Sequence, residues 1–126
     1  MKIRSFGIYA AALLALSLSA CAGRQPLYQW GGYDAMLYQS YKNPEKVLEL
    51  RLGLEQHIAK LEQSQQRVAP GLYAELGTLY LQSGDPIRAT GMFTKERNTW
   101  PESRALMDAM IKGIESRGTG KIEGKS

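Results

Sequence analysis

The chain has 126 residues, 16 basic against 12 acidic side chains for a formal net charge of +4, 44% hydrophobic and 9% aromatic content, one cysteine and one histidine. That length is one domain at most. A single thiol and a single imidazole exclude a disulfide scaffold and the usual zinc sites, so no metal or cofactor is expected, and the apolar content excludes wholesale disorder.

The chain opens with Met1-Lys2-Ile3-Arg4 and then carries no charge from Phe6 to Ala20. A positive start and a short apolar core, below the roughly twenty residues a bilayer span needs, have the form of a secretory signal peptide. Leu18-Ser19-Ala20-Cys21 resembles the bacterial lipobox, which implies cleavage before Cys21 and acylation of its sulfur and of the new amino terminus. Stable anchoring takes two or more acyl chains. Ala22 follows the cysteine where, in the lipoproteins it resembles, aspartate favours inner-membrane retention; the resemblance therefore implies the outer membrane. Loss of Lys2 and Arg4 with the signal leaves a mature net charge of +2, and no basic block marks a nucleic-acid surface.

The mature chain reads as a run of helices. Ala22–Pro26 is a tether, and Gly31-Gly32 breaks any helix before Tyr33. Tyr33, Leu37, Tyr38 and Tyr41 recur at helical spacing. Asn43-Pro44-Glu45 combines an N-cap residue, a proline for the first helical position and an acid for the helix dipole. The spacing predicts a helix from there to about Arg67, with Val47, Leu50, Leu54, Ile58 and Leu61 on one stripe and Leu48 and Leu52 widening it. Leu72–Gln82 is the next helix, and Ser83-Gly84-Asp85-Pro86 ends it and starts another over Ile87–Thr99. Trp100-Pro101 punctuates again. A last helix over about Ser103 to Ser116 offers Ala105, Leu106, Ala109, Met110 and Ile114. The expectation is an all-α chain: signal peptide 1–20, lipidated tether 21–32, helical-repeat domain 33–116 and flexible tail 117–126.

Tyr73-x2-Leu76-Gly77-x2-Tyr80, followed by Gly84, Ala89, Phe93 and Pro101, resembles the tetratricopeptide repeat, with Tyr73 in place of its tryptophan. The resemblance implies two antiparallel helices that approach closely at Gly77 and Ala89, with Tyr80 and Phe93 between them. One repeat cannot bury its own apolar faces. The final helix would therefore cap it, and Tyr33–Tyr41 with Asn43–Arg67 would form a looser preceding hairpin. In such arrays the first helix of each hairpin lines a concave groove; carried over, the groove positions are Ala74, Thr78, Leu81 and Gln82.

The whole pattern, including Tyr28, Trp30, Tyr33, Tyr38, Tyr41 and Asn43-Pro44, resembles a family of small uncharacterised proteobacterial lipoproteins. Their genes often lie beside one for a CsgG-like secretion lipoprotein, which the resemblance offers as a partner. It implies no reaction. His57 has no serine or cysteine motif to serve as a base and reads as an edge histidine. Glu45, Glu49, Glu55 and Glu62 read as a solvated face. Five aromatics between Tyr28 and Tyr41 are expected to cover the open end of the hairpin, with Trp30 set apart for partner or headgroup contact. No catalytic set emerges. The expectation is a lipid-anchored periplasmic scaffold for an envelope or secretion assembly; the alternative is a stand-alone or homo-oligomeric structural lipoprotein.

Overall fold

The computed structural model describes residues 26–123, so the expected signal peptide and Cys21 lie outside the described residues. Five helices follow one another: α1 (Tyr33–Lys42), α2 (Val47–Gln63), α3 (Leu72–Gln82), α4 (Pro86–Thr99) and α5 (Arg104–Glu123). One 3-10 turn, Pro44–Lys46, leads into α2 and another, Pro101–Ser103, into α5. No strand occurs among the described residues, and the fold is all-α, as the sequence predicts.

Each boundary has a local cause. Gly31 and Gly32 take φ of 60° and 75°, open to glycine at little cost, and the Gly32 carbonyl accepts the Met36 N–H at 3.2 Å. Pro44 holds Asn43 extended at φ −133°, ψ 97°, as the residue before a proline must be. The expected side-chain cap from Asn43 is not made. Its backbone serves both neighbours instead: its N–H donates to Gln39 O at 2.9 Å and its carbonyl accepts from Lys46 at 2.8 Å.

Helix α2 ends at Gln63, short of the expected Arg67. Gln65 adopts φ 54°, its N–H donates to Glu62 O at 3.1 Å, and the Gln66 N–H donates to Leu61 O at 2.8 Å. This is the paired bonding of a Schellman stop with glutamine where glycine is usual. The buried stripe is Leu50, Leu54, Ile58 and Leu61. Leu48 and Leu52 face outward, contrary to the expected wide stripe, because α1 and α3 together cover only one side of α2, and Val47 is left partly exposed between those two helices.

Among the described residues, helices α3 and α4 form the most extensive packing and run antiparallel. Gly71, at the start of α3, bonds to Glu96 near the end of α4, and Gly77 in mid-α3 meets Phe93 and the Ala89 carbonyl. A Cβ on Gly77 would lie 2.6 Å from Phe93 Cε1 and 3.2 Å from Ala89 O, so the close approach expected there is present. Gly84 at φ 80° makes the turn, and the Asp85 carboxylate caps α4 by accepting the Arg88 N–H at 2.9 Å.

The core gathers Leu54, Leu61, Leu72, Leu76, Ala89 and Phe93, closed on the far side by Met107 of α5. Two expectations for α5 need correction. Its inward residues are Met107, Met110, Ile111 and Ile114, whereas Ala105, Leu106 and Ala109 are exposed. It also continues to Glu123, through most of the segment expected to be a flexible tail. Glycine costs a helix interior only about 1 kcal/mol, and no proline follows Pro101 to remove a backbone donor.

Candidate functional site

Helices α1 and α3 both pack on α2, and a cleft of about 370 Å³ lies between them. Leu37, Ser40 and Tyr41 of α1 form one wall, Pro44, Val47 and Leu50 the floor, and Glu75, Leu79 and Gln82 of α3 the other wall. The α3 residues stand at i, i+4 and i+7, one face of a helix. A smaller hollow of about 220 Å³, sharing Val47, Leu79 and Gln82, extends to Arg51.

The polar groups in this cleft are few and unequal. The Ser40 Oγ donates to Leu37 O at 2.8 Å, so its hydroxyl is spent within α1. Gln82 is exposed at the end of the groove. Glu75 is half-buried, and its carboxyl is held above the usual carboxylate range by desolvation. No hydrogen bond or ion pair among the described residues satisfies that carboxylate. Its charge is felt by Tyr33, whose hydroxyl is raised by burial first and by Glu75 second. The nearby cations are already engaged. Lys46 pairs with Glu49 at 2.6 Å, Arg51 pairs with Glu55 at 3.1 Å, and Lys42 lies 4.7 Å over the Tyr38 ring.

The predicted groove positions do not share one groove. Gln82 lines the cleft. Ala74 and Leu81 pack toward the core, and the Thr78 hydroxyl donates to Ala74 O at 3.0 Å. Leu81 borders a separate hollow with Gly84, Pro86, Ile114 and Arg117. Trp30, 41% exposed, stands outside the cleft on the approach to α1.

The aromatic cluster divides. Tyr28 meets Trp100 edge-on at 5.5 Å and Tyr33 packs against the core, while Tyr38 and Tyr41 are exposed. His57 is an anchor for the incoming chain: its Nε2 lies 2.8 Å from Gln29 O. The ring sits so close under Gly31 that any Cβ there would overlap it.

Two carboxylates have structural partners that sequence reasoning missed. Glu62, read as solvated, accepts the Tyr73 hydroxyl at 2.8 Å and Lys95 at 2.6 Å. Burial alone would raise it, but those two bonds and the Lys95 charge leave it lowered. Glu96 is fully buried; its Oε1 accepts the Gly71 N–H at 2.8 Å and the Ser103 hydroxyl at 3.1 Å. It thereby ties both ends of the α3–α4 hairpin to the turn before α5. Among the described residues no group of three or more His, Cys, Asp or Glu could hold a metal ion. Arranged this way, the cleft sets apolar groups beside an amide and one carboxylate that has no partner among the described residues.

Residues 27–110 match a family described as a domain of unknown function, DUF4810. No curated protein and no solved structure matches the chain.

Proposed function

The chain belongs to the DUF4810 family, whose description carries no activity, and from its own residues we propose that it is a lipid-anchored binding scaffold of the bacterial outer membrane. In this reading Cys21 carries the acyl chains, the domain faces the periplasm, and it supports an envelope or secretion assembly. A CsgG-like lipoprotein is the proposed protein partner, and a tetratricopeptide-like pair, α3 with α4, is the frame that presents the binding surface. The observation that carries the proposal is the cleft between α1 and α3: open, floored by apolar residues, and holding a carboxylate without a partner among the described residues. The Leu18–Cys21 lipobox supports the anchor. No helix among the described residues is long and apolar enough to cross a membrane.

The test has two arms. Expression in a Gram-negative host with a clickable palmitate analogue should label the wild-type chain in outer-membrane fractions and leave Cys21→Ser unlabelled. Crosslinking in the envelope followed by detergent extraction should then recover a defined protein partner. An unlabelled wild-type chain refutes the anchor; a labelled chain that crosslinks to nothing, or only to itself, refutes the scaffold.

A further inference from the structure

We propose that the α1–α3 cleft takes a lysine or arginine side chain from an apolar segment of a partner polypeptide, with Glu75 as the residue that receives the cation. The inference rests on the scaffold reading and adds the chemistry of what is bound. Three observations converge on it.

The first is the state of Glu75. A carboxylate half out of water gains from an opposite charge, and the fold supplies none: Lys46, Arg51 and Lys42 are turned to Glu49, Glu55 and the Tyr38 ring. The first-turn position of Glu75 in α3 lets the helix dipole ease its charge, but a dipole forms no ion pair. The second is what surrounds it. Leu37 and Val47, over the buried Leu50 and Leu79, offer apolar contact to the methylene stem of the cation, which long basic side chains bury readily. Tyr41, 81% exposed, lines the cleft and adds an aromatic ring of the kind that attracts cations.

The third is size. About 370 Å³ lies at the low end of the roughly 300–1,000 Å³ typical of ligand pockets. That accommodates a few side chains, with the Gln82 amide at one end able to both donate to and accept from a peptide backbone. An anionic headgroup would meet Glu75 as a like charge. A polypeptide cation set among apolar neighbours fits; a phosphate-bearing surface does not.

The test uses the full chain extracted in detergent and fluorescent twelve-residue peptides of alternating leucine and alanine. Each carries one central lysine, arginine, acetyl-lysine or glutamate, and binding is read by anisotropy. Lysine and arginine peptides should bind, while acetyl-lysine and glutamate peptides should bind about tenfold or more weakly, the range expected when a desolvated charge pair loses one member. Glu75→Gln should lose that discrimination and Tyr41→Ala should weaken both basic peptides. Glu102→Gln, an exposed acid outside the cleft, should leave both unchanged. Thermal melts of each variant confirm that the fold is intact.

Equal binding of lysine and acetyl-lysine peptides, or unchanged affinity in Glu75→Gln, overturns the proposal. So does light scattering that shows the chain dimeric and made monomeric by Tyr41→Ala, since a second copy would then fill the cleft. Peptide failure with acylation and partner crosslinking intact removes only the cleft assignment. Peptide binding by a wild-type chain that takes up no palmitate label removes only the anchor.

Discussion

Two helical glycines make opposed predictions from one physical argument. In a helix interior alanine is favoured over glycine by roughly 1 kcal/mol, so any Gly→Ala change starts with that gain. At Gly91 the added Cβ meets nothing within 4 Å, and Gly91→Ala should stabilise by about 0.5–1 kcal/mol. At Gly77 the same methyl would stand 2.6 Å and 2.8 Å from Phe93 Cε1 and Cδ1 and 3.2 Å from the Ala89 carbonyl. Phe93 is completely buried between α3 and α4 and has nowhere to swing. Overpacking of this kind costs about 1–3 kcal/mol, which cancels or outweighs the propensity gain, and Gly77→Leu should cost more than Gly77→Ala. For a domain of this size 1 kcal/mol moves the melting temperature by roughly 4–8 °C. Circular dichroism melts at neutral pH should therefore place Gly91→Ala above wild type by several degrees and Gly77→Leu clearly below it. Equal shifts of one sign at both glycines would refute the close packing of α3 on α4.

Glu96→Ala takes the acceptor from the Gly71 N–H and the half-buried Ser103 hydroxyl and leaves a hollow at a fully buried position; it should cost about 1–3 kcal/mol in urea unfolding, and a change under 0.5 kcal/mol would deny its bracing role. Gln65→Gly relieves a side chain held at φ 54° and should raise stability by about 1 kcal/mol, read in the same experiment. The Glu75 carboxyl is raised in the folded state, so the native protein holds that proton more tightly than the unfolded chain, and ionisation costs stability as pH rises through its unfolded value. Glu75→Gln should therefore be more stable than wild type at pH 7, with the advantage vanishing below about pH 4. Glu62 and Asp85 are lowered; their contribution is present above the unfolded carboxylate range and is lost on acidification, so denaturation should begin below about pH 4 and be blunted in Glu62→Gln.

Helix starts were legible wherever glycine or proline forced the backbone. Gly32, Pro86 and Pro101 mark real boundaries, and the tight approach at Gly77 followed from its size. The end of α2 was not legible, because Gln65 does there what a glycine would have announced. The inward face of α5 was written in Met107, Met110, Ile111 and Ile114, a clean i, i+3, i+4, i+7 series, and was obscured by counting small exposed alanines as core. Glu96 could not be read at all: its partners lie 25 residues before it and 7 after, and only the hairpin brings them together. Of the four groove positions carried over, Gln82 lines the cleft. Ala74, Thr78 and Leu81 lie one position from Glu75, Leu79 and Gln82, and one position on a helix is a turn of about 100°, which carries them off the cleft wall.

The residues just before α1 decide how such a cleft can be presented. Gln29 is held by His57, Gly31 closes over the same ring, and Tyr28 is set edge-on against Trp100, whose face lies 4.0 Å from the Arg67 guanidinium. The chain is therefore strapped to the C-terminal half of α2, while the cleft lies at Val47 and Leu50 near its N-terminal end. Ten residues of helix separate Val47 from His57, about 15 Å at 1.5 Å per residue. From Pro26 back to Cys21 is five residues, at most about 18 Å of extended chain. If Cys21 is seated in lipid, the strap holds the domain at short reach while displacing the cleft from the attachment point. His57→Ala should loosen that hold without touching the cleft. It should raise protease sensitivity near Gln29 while leaving the affinity for the lysine peptide within about twofold of wild type, the small change expected between sites with no shared partners. A matching loss of peptide affinity would mean that strap and cleft are one unit, and the separation argued here would be wrong.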